Sequence, residues 1–230
     1  MLDQLKREVY NANIMLGKSG LVTLTWGNVS GISRTEGRIV IKPSGVDYDK
    51  LTVDDMVVVD LKGNVVEGKY RPSSDTPTHL QLYNTFLTIG GITHTHSASA
   101  TMFAQACKEI PCFGTTHADH FNGPIPVTRF LTEDEVNSDY EVSTGKIIAE
   151  RFTSLDVEST PGVLVAGHAP FTWGRDASES VKNAIALENI AHMALGTLQL
   201  NLKSSELPRY ILKKHFNRKH GPDAYYGQKK

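Results

Sequence analysis

The chain has 230 residues, 40% of them hydrophobic and 21% charged, with a formal net charge of −1. This length supports one large domain with a substantial core, and the balanced charge excludes a general pull toward nucleic acid or membrane surfaces. No run reaches the roughly 18 apolar residues of a membrane span. MLDQLKREVY carries both signs of charge where a secretion signal is apolar, and Cys107 and Cys112 are the only cysteines, so a cytoplasmic location is expected.

Leu2, Leu5, Val9, Ala12 and Leu16 recur at three- and four-residue spacing and stop at Gly17 and Gly20, which predicts an amphipathic helix with a glycine exit. The period then changes to two. In LVTLTWGNVSGI, Val22, Leu24 and Trp26 alternate with Thr23 and Thr25 as in a strand; GRIVIKPSG and DMVVVDLKGNVVEG continue as strands, the latter folding over Lys62-Gly63-Asn64 as a hairpin. Thr76-Pro77 reads as an N-cap and a first-turn proline, opening a helix that packs Leu80, Tyr83 and Leu87. GGITHTH is the next strand, with Ser97 or Ser99 capping the helix after it.

After a loop-rich middle, Thr132 and Glu135 match a capping box. GVLVAGHAPFTWG predicts a buried strand, a turn and a short strand. Asp176 then caps a long helix with Val181, Ala184, Ile185, Ala191 and Leu195 inward and His192 packed. Residues 203–230 hold eight Lys or Arg against Glu206 and Asp223, which we read as a solvated helix face and not a nucleic-acid module. The fold class expected is α/β, a single domain with a mainly antiparallel or mixed sheet covered by helices.

His94 and His96 stand two apart at the end of a strand-like run, so both rings fall on one face and can converge on one ion. His168 ends another apolar run just before Ala169-Pro170. Three neutral imidazoles leave an open position on a zinc ion, the arrangement of a catalytic centre; solvated or core histidines are the alternative. WGNVS (Gly27, Asn28), KPSG (Lys42, Ser44, Gly45) and PSSDTPTH (Ser73, Ser74, Asp75) each place glycines or hydroxyls at strand-to-loop junctions, and the last opens a helix. Outward backbone N–H groups and the helix dipole make such loops seats for phosphate, although plain turn chemistry uses the same residues.

Together, TWGNVS, KPSG, SSDTPTH, HTHS, GTTHAD, the PGVLV to HAPFTWG segment and KHGPDAYYG resemble the class II aldolase/epimerase family, from the first helix to the last ten residues. The resemblance implies the class II aldolase-like fold, helices on both sheet faces, and one domain over 1–230. It implies zinc held by His94, His96 and His168, with Asp75 as a fourth ligand or near-ligand, and phosphate received by Gly27-Asn28, Ser44-Gly45 and Ser73-Ser74. Asp119 and Tyr226 would form an acid/base pair, supported by Thr115, His117, Glu141, His215 and Arg218; the choice of Tyr226 over Tyr225 rests on the resemblance alone.

The activity implied is epimerisation of L-ribulose 5-phosphate at C4 to D-xylulose 5-phosphate, by retro-aldol cleavage and aldol re-formation. A phenol, with a reference pKa of about 10, suits the donor role and a carboxylate the base. A sugar-phosphate aldolase of the same fold and a non-catalytic adducin-like scaffold are the rivals. Relatives of this kind are four-fold homotetramers, which implies that the tail from about 203 to 230 brings Tyr226 into a site whose zinc and Asp119 belong to the adjacent subunit.

Overall fold

The computed structural model describes residues 2–226. Helix α1 (Leu2–Lys18) buries Val9, Ala12 and Leu16 as one stripe. Strands β1 (Asn28–Ser33), β2 (Arg38–Ile41), β3 (Val57–Asp60) and β4 (Val65–Glu67) precede α2 (Thr76–Thr85), β5 (Gly91–His94) and α3 (Ala98–Gln105). Then come α4 (Thr115–Ala118), α5 (Glu133–Ser138), α6 (Tyr140–Arg151), β6 (Gly162–Leu164), β7 (Pro170–Gly174), α7 (Ala177–Leu200) and α8 (Arg209–His220).

The seven strands form one sheet in the order β4-β3-β2-β1-β5-β7-β6, with antiparallel pairing throughout. Alternation divides β2 and β3 between two cores. Ile39, Ile41, Val57, Val59, Ile92, Phe171 and Trp173 pack against Leu80, Leu82 and Tyr83 of α2 and Ile147 and Ile148 of α6. Val29, Val40 and Val58 pack on the other face against Val9, Ala12 and Leu16 of α1 and Val181 and Ala184 of α7. Each fully buried aliphatic side chain contributes on the order of 1.5–3 kcal/mol, so the two faces hold the layers together far more firmly than any surface ion pair. Asn13 ties α1 to the sheet edge-on: its Nδ2 donates to Val29 O at 3.1 Å and its Oδ1 accepts from Val29 N at 3.0 Å.

The hairpin forms where expected, Asp60 N donating to Asn64 O at 2.9 Å with Gly63 at φ 89°. The capping box at Thr132 and the Asp176 cap are also in place. Four readings are corrected. Residues 21–27 are not strand, for β5 ends at His94 opposite Asn28 and β2 ends opposite Ser30, leaving nothing for an extended 21–27 to pair with. Leu24 takes φ 54° there and is 77% exposed. Leu87 lies beyond the end of α2 and is exposed. Thr76 is the first residue of α2, the cap position being Asp75. His192 points outward from α7, since the buried residues around it are Ala191 and Ala194. No helix among the described residues is long and apolar enough to cross a membrane.

Candidate active site

His94 closes β5, and its Nδ1 lies 3.0 Å from Pro170 O. A carbonyl can only accept, so Nδ1 carries the proton and Nε2 presents a lone pair. Phe171 stacks on the ring at 4.1 Å and fixes its plane. His96 reaches the same point, its Nε2 3.1 Å from that of His94, with Trp26 6.0 Å away on its outer side. His168 arrives from the turn between β6 and β7, and ligand atoms of all three histidines lie within 4.8 Å of one another. Burial first, then His94 and His96, lower the His168 pKa to about 4, so that imidazole is neutral at neutral pH. Its Nδ1 is buried with no partner among the described residues. Three convergent imidazoles, those of His96 and His168 kept neutral by burial and that of His94 oriented by a backbone carbonyl, fit a divalent cation of the zinc class. They are also the one such group of histidine, cysteine and carboxylate ligands among the described residues.

Asp75 is brought to this centre but is not one of the convergent set. Its Oδ2 accepts from Asn28 Nδ2 at 2.6 Å. Burial opposes ionisation of Asp75, whereas the charge of His94 and His79 when protonated and the Asn28 hydrogen bond favour it, and the balance lies below the ordinary carboxyl value. Gly27 makes the approach possible. At φ 78° it brings the backbone so close that a Cβ would lie 2.8 Å from His94 O, and Tyr48 secures it by donating its hydroxyl to Gly27 O at 2.8 Å.

The two serine loops are joined by backbone bonds: Ser44 N donates to Arg71 O and Ser73 N to Lys42 O, both at 3.0 Å. Asn28 Nδ2 adds a 3.0 Å bond to Ser73 Oγ, so Asn28, Ser44, Gly45, Ser73 and Ser74 belong to one connected region. Lys42 stands beneath it. Its amine is buried, 4.7 Å from the Tyr48 ring centroid, with only Pro43 O at 3.4 Å as hydrogen-bond partner among the described residues. Burial lowers its pKa to about 8. A buried cation with no carboxylate of the described residues within salt-bridge distance is the charge a phosphate needs; the sequence named Lys42 with this loop, whereas the resemblance implied only Ser44 and Gly45 of it.

Asp119 caps the C-terminal end of α4 and meets α8 of the same chain. Its carboxylate accepts from Arg218 Nε at 2.9 Å, from Arg218 Nη2, and from His215 Nδ1 at 3.1 Å. Burial again opposes ionisation, and Arg218 and His215 reverse it, keeping the pKa below the usual carboxylate value. Arg218 also lies 4.6 Å from the Tyr226 ring centroid, while Tyr225 sits under Lys214. Asp119 and Tyr226 are thus gathered by one arginine.

Tyr226 also borders a cavity at the Gly91 end of β5. His120, Tyr226 and Gly174 line one cavity of about 890 Å³. Gly174 pairs with Gly91 at one end of β5, whereas His94 pairs with Phe171 at the other, three residue steps or roughly 10 Å away. Arg218 therefore holds Asp119 and Tyr226 together on one chain, whereas the resemblance implied a Tyr226 brought to Asp119 by the adjacent subunit. Of the supporting residues, His215 and Arg218 bind Asp119, His117 pairs with Gly123 O at 2.8 Å, and Glu141 O accepts from Thr78. Thr115 opens α4. Sequence reading missed Tyr140, whose ring lies 6.2 Å from that of His168.

Residues 7–195 match the model of the Class II Aldolase and Adducin N-terminal domain family, and the chain belongs to that family. Proteins of Salmonella paratyphi B and Salmonella typhi, each named L-ribulose-5-phosphate 4-epimerase UlaF, are 54% identical to it over 228 residues, 99% of this chain and all of each relative. Among solved structures, an L-fuculose 1-phosphate aldolase superposes with a TM-score of 0.79 at 25% identity, over 94% of this chain and 95% of that one. YgbL of Klebsiella pneumoniae, titled a putative aldolase/epimerase/decarboxylase, shares the fold with a TM-score of 0.73 at 23% identity, over 92% and 97%.

Proposed function

We propose that this chain is an L-ribulose-5-phosphate 4-epimerase that converts its substrate to D-xylulose 5-phosphate. The observation that carries the reading is the full-length 54% identity to relatives of that name. His94, His96 and His168 would hold one divalent cation, taken as zinc, with Asp75 beside it as a fourth or near ligand. When bound, such an ion supplies Lewis acidity for breaking and remaking the C3–C4 bond. Lys42 with Ser44, Gly45, Ser73, Ser74 and the Gly27-Asn28 turn receives the phosphate, which fixes the far end of the sugar while its aldehyde portion turns over.

Asp119, kept ionised by Arg218 and His215, takes the proton of the C4 hydroxyl. Tyr226 returns a proton from the opposite face, and the reverse reaction exchanges these roles. With Asp119, Arg218 and Tyr226 gathered on one chain, a complete site would draw its metal half from one subunit and its Asp119–Arg218–Tyr226 half from the next, in a cyclic homotetramer. We place this enzyme in the cytoplasm.

The test is incubation of purified, zinc-loaded protein with L-ribulose 5-phosphate. D-Xylulose 5-phosphate without release of free aldehyde is the expected result. Free glycolaldehyde phosphate as the main product makes the chain an aldolase; no turnover despite bound zinc makes it a scaffold.

A further inference from the structure

Helix α2 docks on β1 through two polar rungs. Asp75 meets Asn28 at 2.6 Å, and His79, one helical turn on, meets Ser30, two strand residues on, at 2.7 Å between Nδ1 and Oγ. The spacings match because four helical residues rise about 6 Å and two strand residues about 6.6 Å. Asn28 and Ser30 share a sheet face, and Asn28 lies opposite His94 in the ladder. Ser30 Oγ also lies 2.8 Å from Tyr83 Oη. All three of these side chains are fully buried.

The proton order in this chain follows from satisfaction. A Tyr83 hydroxyl donating to Ser30, which donates to His79 Nδ1, leaves no buried hydroxyl proton unpaired; the reverse order strands the Tyr83 proton in the core. The imidazole is then neutral with its proton on Nε2, an atom that is buried and unpaired among the described residues. Burial lowers the His79 pKa to about 3, which agrees with a neutral ring. Phe171 stands edge-on to His79 at 6.0 Å and stacks on His94, filling the space between them.

We propose that His79 is a positioning residue, whose bond to Ser30 sets the register of α2 on β1 and so fixes the Asp75 carboxylate beside the three histidines. This rests on the reading above only in counting Asp75 as part of the site. The relay is buried, and it reaches the centre through Asp75 and, by way of Phe171, through the plane of the His94 ring.

The test measures zinc affinity by chelator competition. His79→Leu and Ser30→Ala are each expected to weaken zinc binding about 10- to 100-fold, as loss of a group orienting a metal site does. His79→Asn, whose amide can retain the bond to Ser30, should stay within about threefold of the unaltered protein. Nitrogen NMR of the unaltered protein should show His79 protonated at Nε2 and unprotonated at Nδ1. A proton on Nδ1 overturns the proposal, as does unchanged zinc affinity in folded His79→Leu. If His79→Leu does not fold, unchanged affinity in Ser30→Ala overturns it. These readouts need no turnover, so failure to epimerise rejects the proposed function without deciding the role of His79.

Discussion

Arg218 donates from Nε and Nη2 to both carboxylate oxygens of Asp119, a two-point grip made across 99 residues of sequence. A planar guanidinium can do this while keeping its face on Tyr226; an ammonium cannot. Arg218→Lys is therefore expected to lower kcat at least about tenfold while zinc content stays unchanged. Steady-state kinetics beside metal analysis checks it, and a normal kcat would show that the grip is only structural.

The pairing also sets the outcome of subunit mixing. Random reassembly of equal His96→Ala and Tyr226→Phe chains should restore about a quarter of full activity if, as proposed, the two lesions fall in different halves of a shared site. Asp119→Asn mixed with Tyr226→Phe should restore none, because both lesions sit in the same half. Recovery in the second mixture would separate Asp119 from Tyr226 despite Arg218.

For the metal, His96→Ala should lose most bound zinc while keeping its fold, and a chelator should abolish turnover reversibly on the unaltered enzyme. Removing one of three convergent imidazoles leaves two, with Asp75 only beside them. Equal zinc content in the two proteins rejects the histidine assignment.

Lys42 gives a pH signature. Its folded pKa is lowered from 10.5 to about 8, by burial. Between those values the unfolded chain holds a proton that the folded chain has released, so stability of the ligand-free protein should rise with pH across that window. The rise is at most about 3 kcal/mol. Lys42→Met should remove it and weaken inorganic phosphate binding about tenfold or more. Urea unfolding from pH 7 to 10.5 makes the comparison; the same slope in both proteins places the effect elsewhere.

Local signals carried much of this molecule. Period-two runs gave β2, β3 and β5, spacing gave α1, and Thr132, Glu135 and Asp176 announced their helices, all short-range properties of the chain. His94 and His96 could be paired because strand geometry fixes an i, i+2 relationship. The alternation at Val22, Leu24 and Trp26 misled because a strand needs a partner, and partner length is written elsewhere, in the ends of β2 and β5. The link from Asp119 to Arg218 and the rung from His79 to Ser30 join distant segments, and no spacing rule encodes either. Lys42 was legible as part of the KPSG loop, but its burial against Tyr48 was not, because Tyr48 contributes no local spacing signal.

The backbone ties from Ser44 to Arg71 and from Ser73 to Lys42 lie within the main chain and need no ligand atom to form. The two loops consequently form a rigid seat with little ordering left to do, and binding there loses little conformational entropy. A fragment as small as free phosphate should then occupy the seat unaided and inhibit competitively, and longer sugar phosphates should dock by that end first.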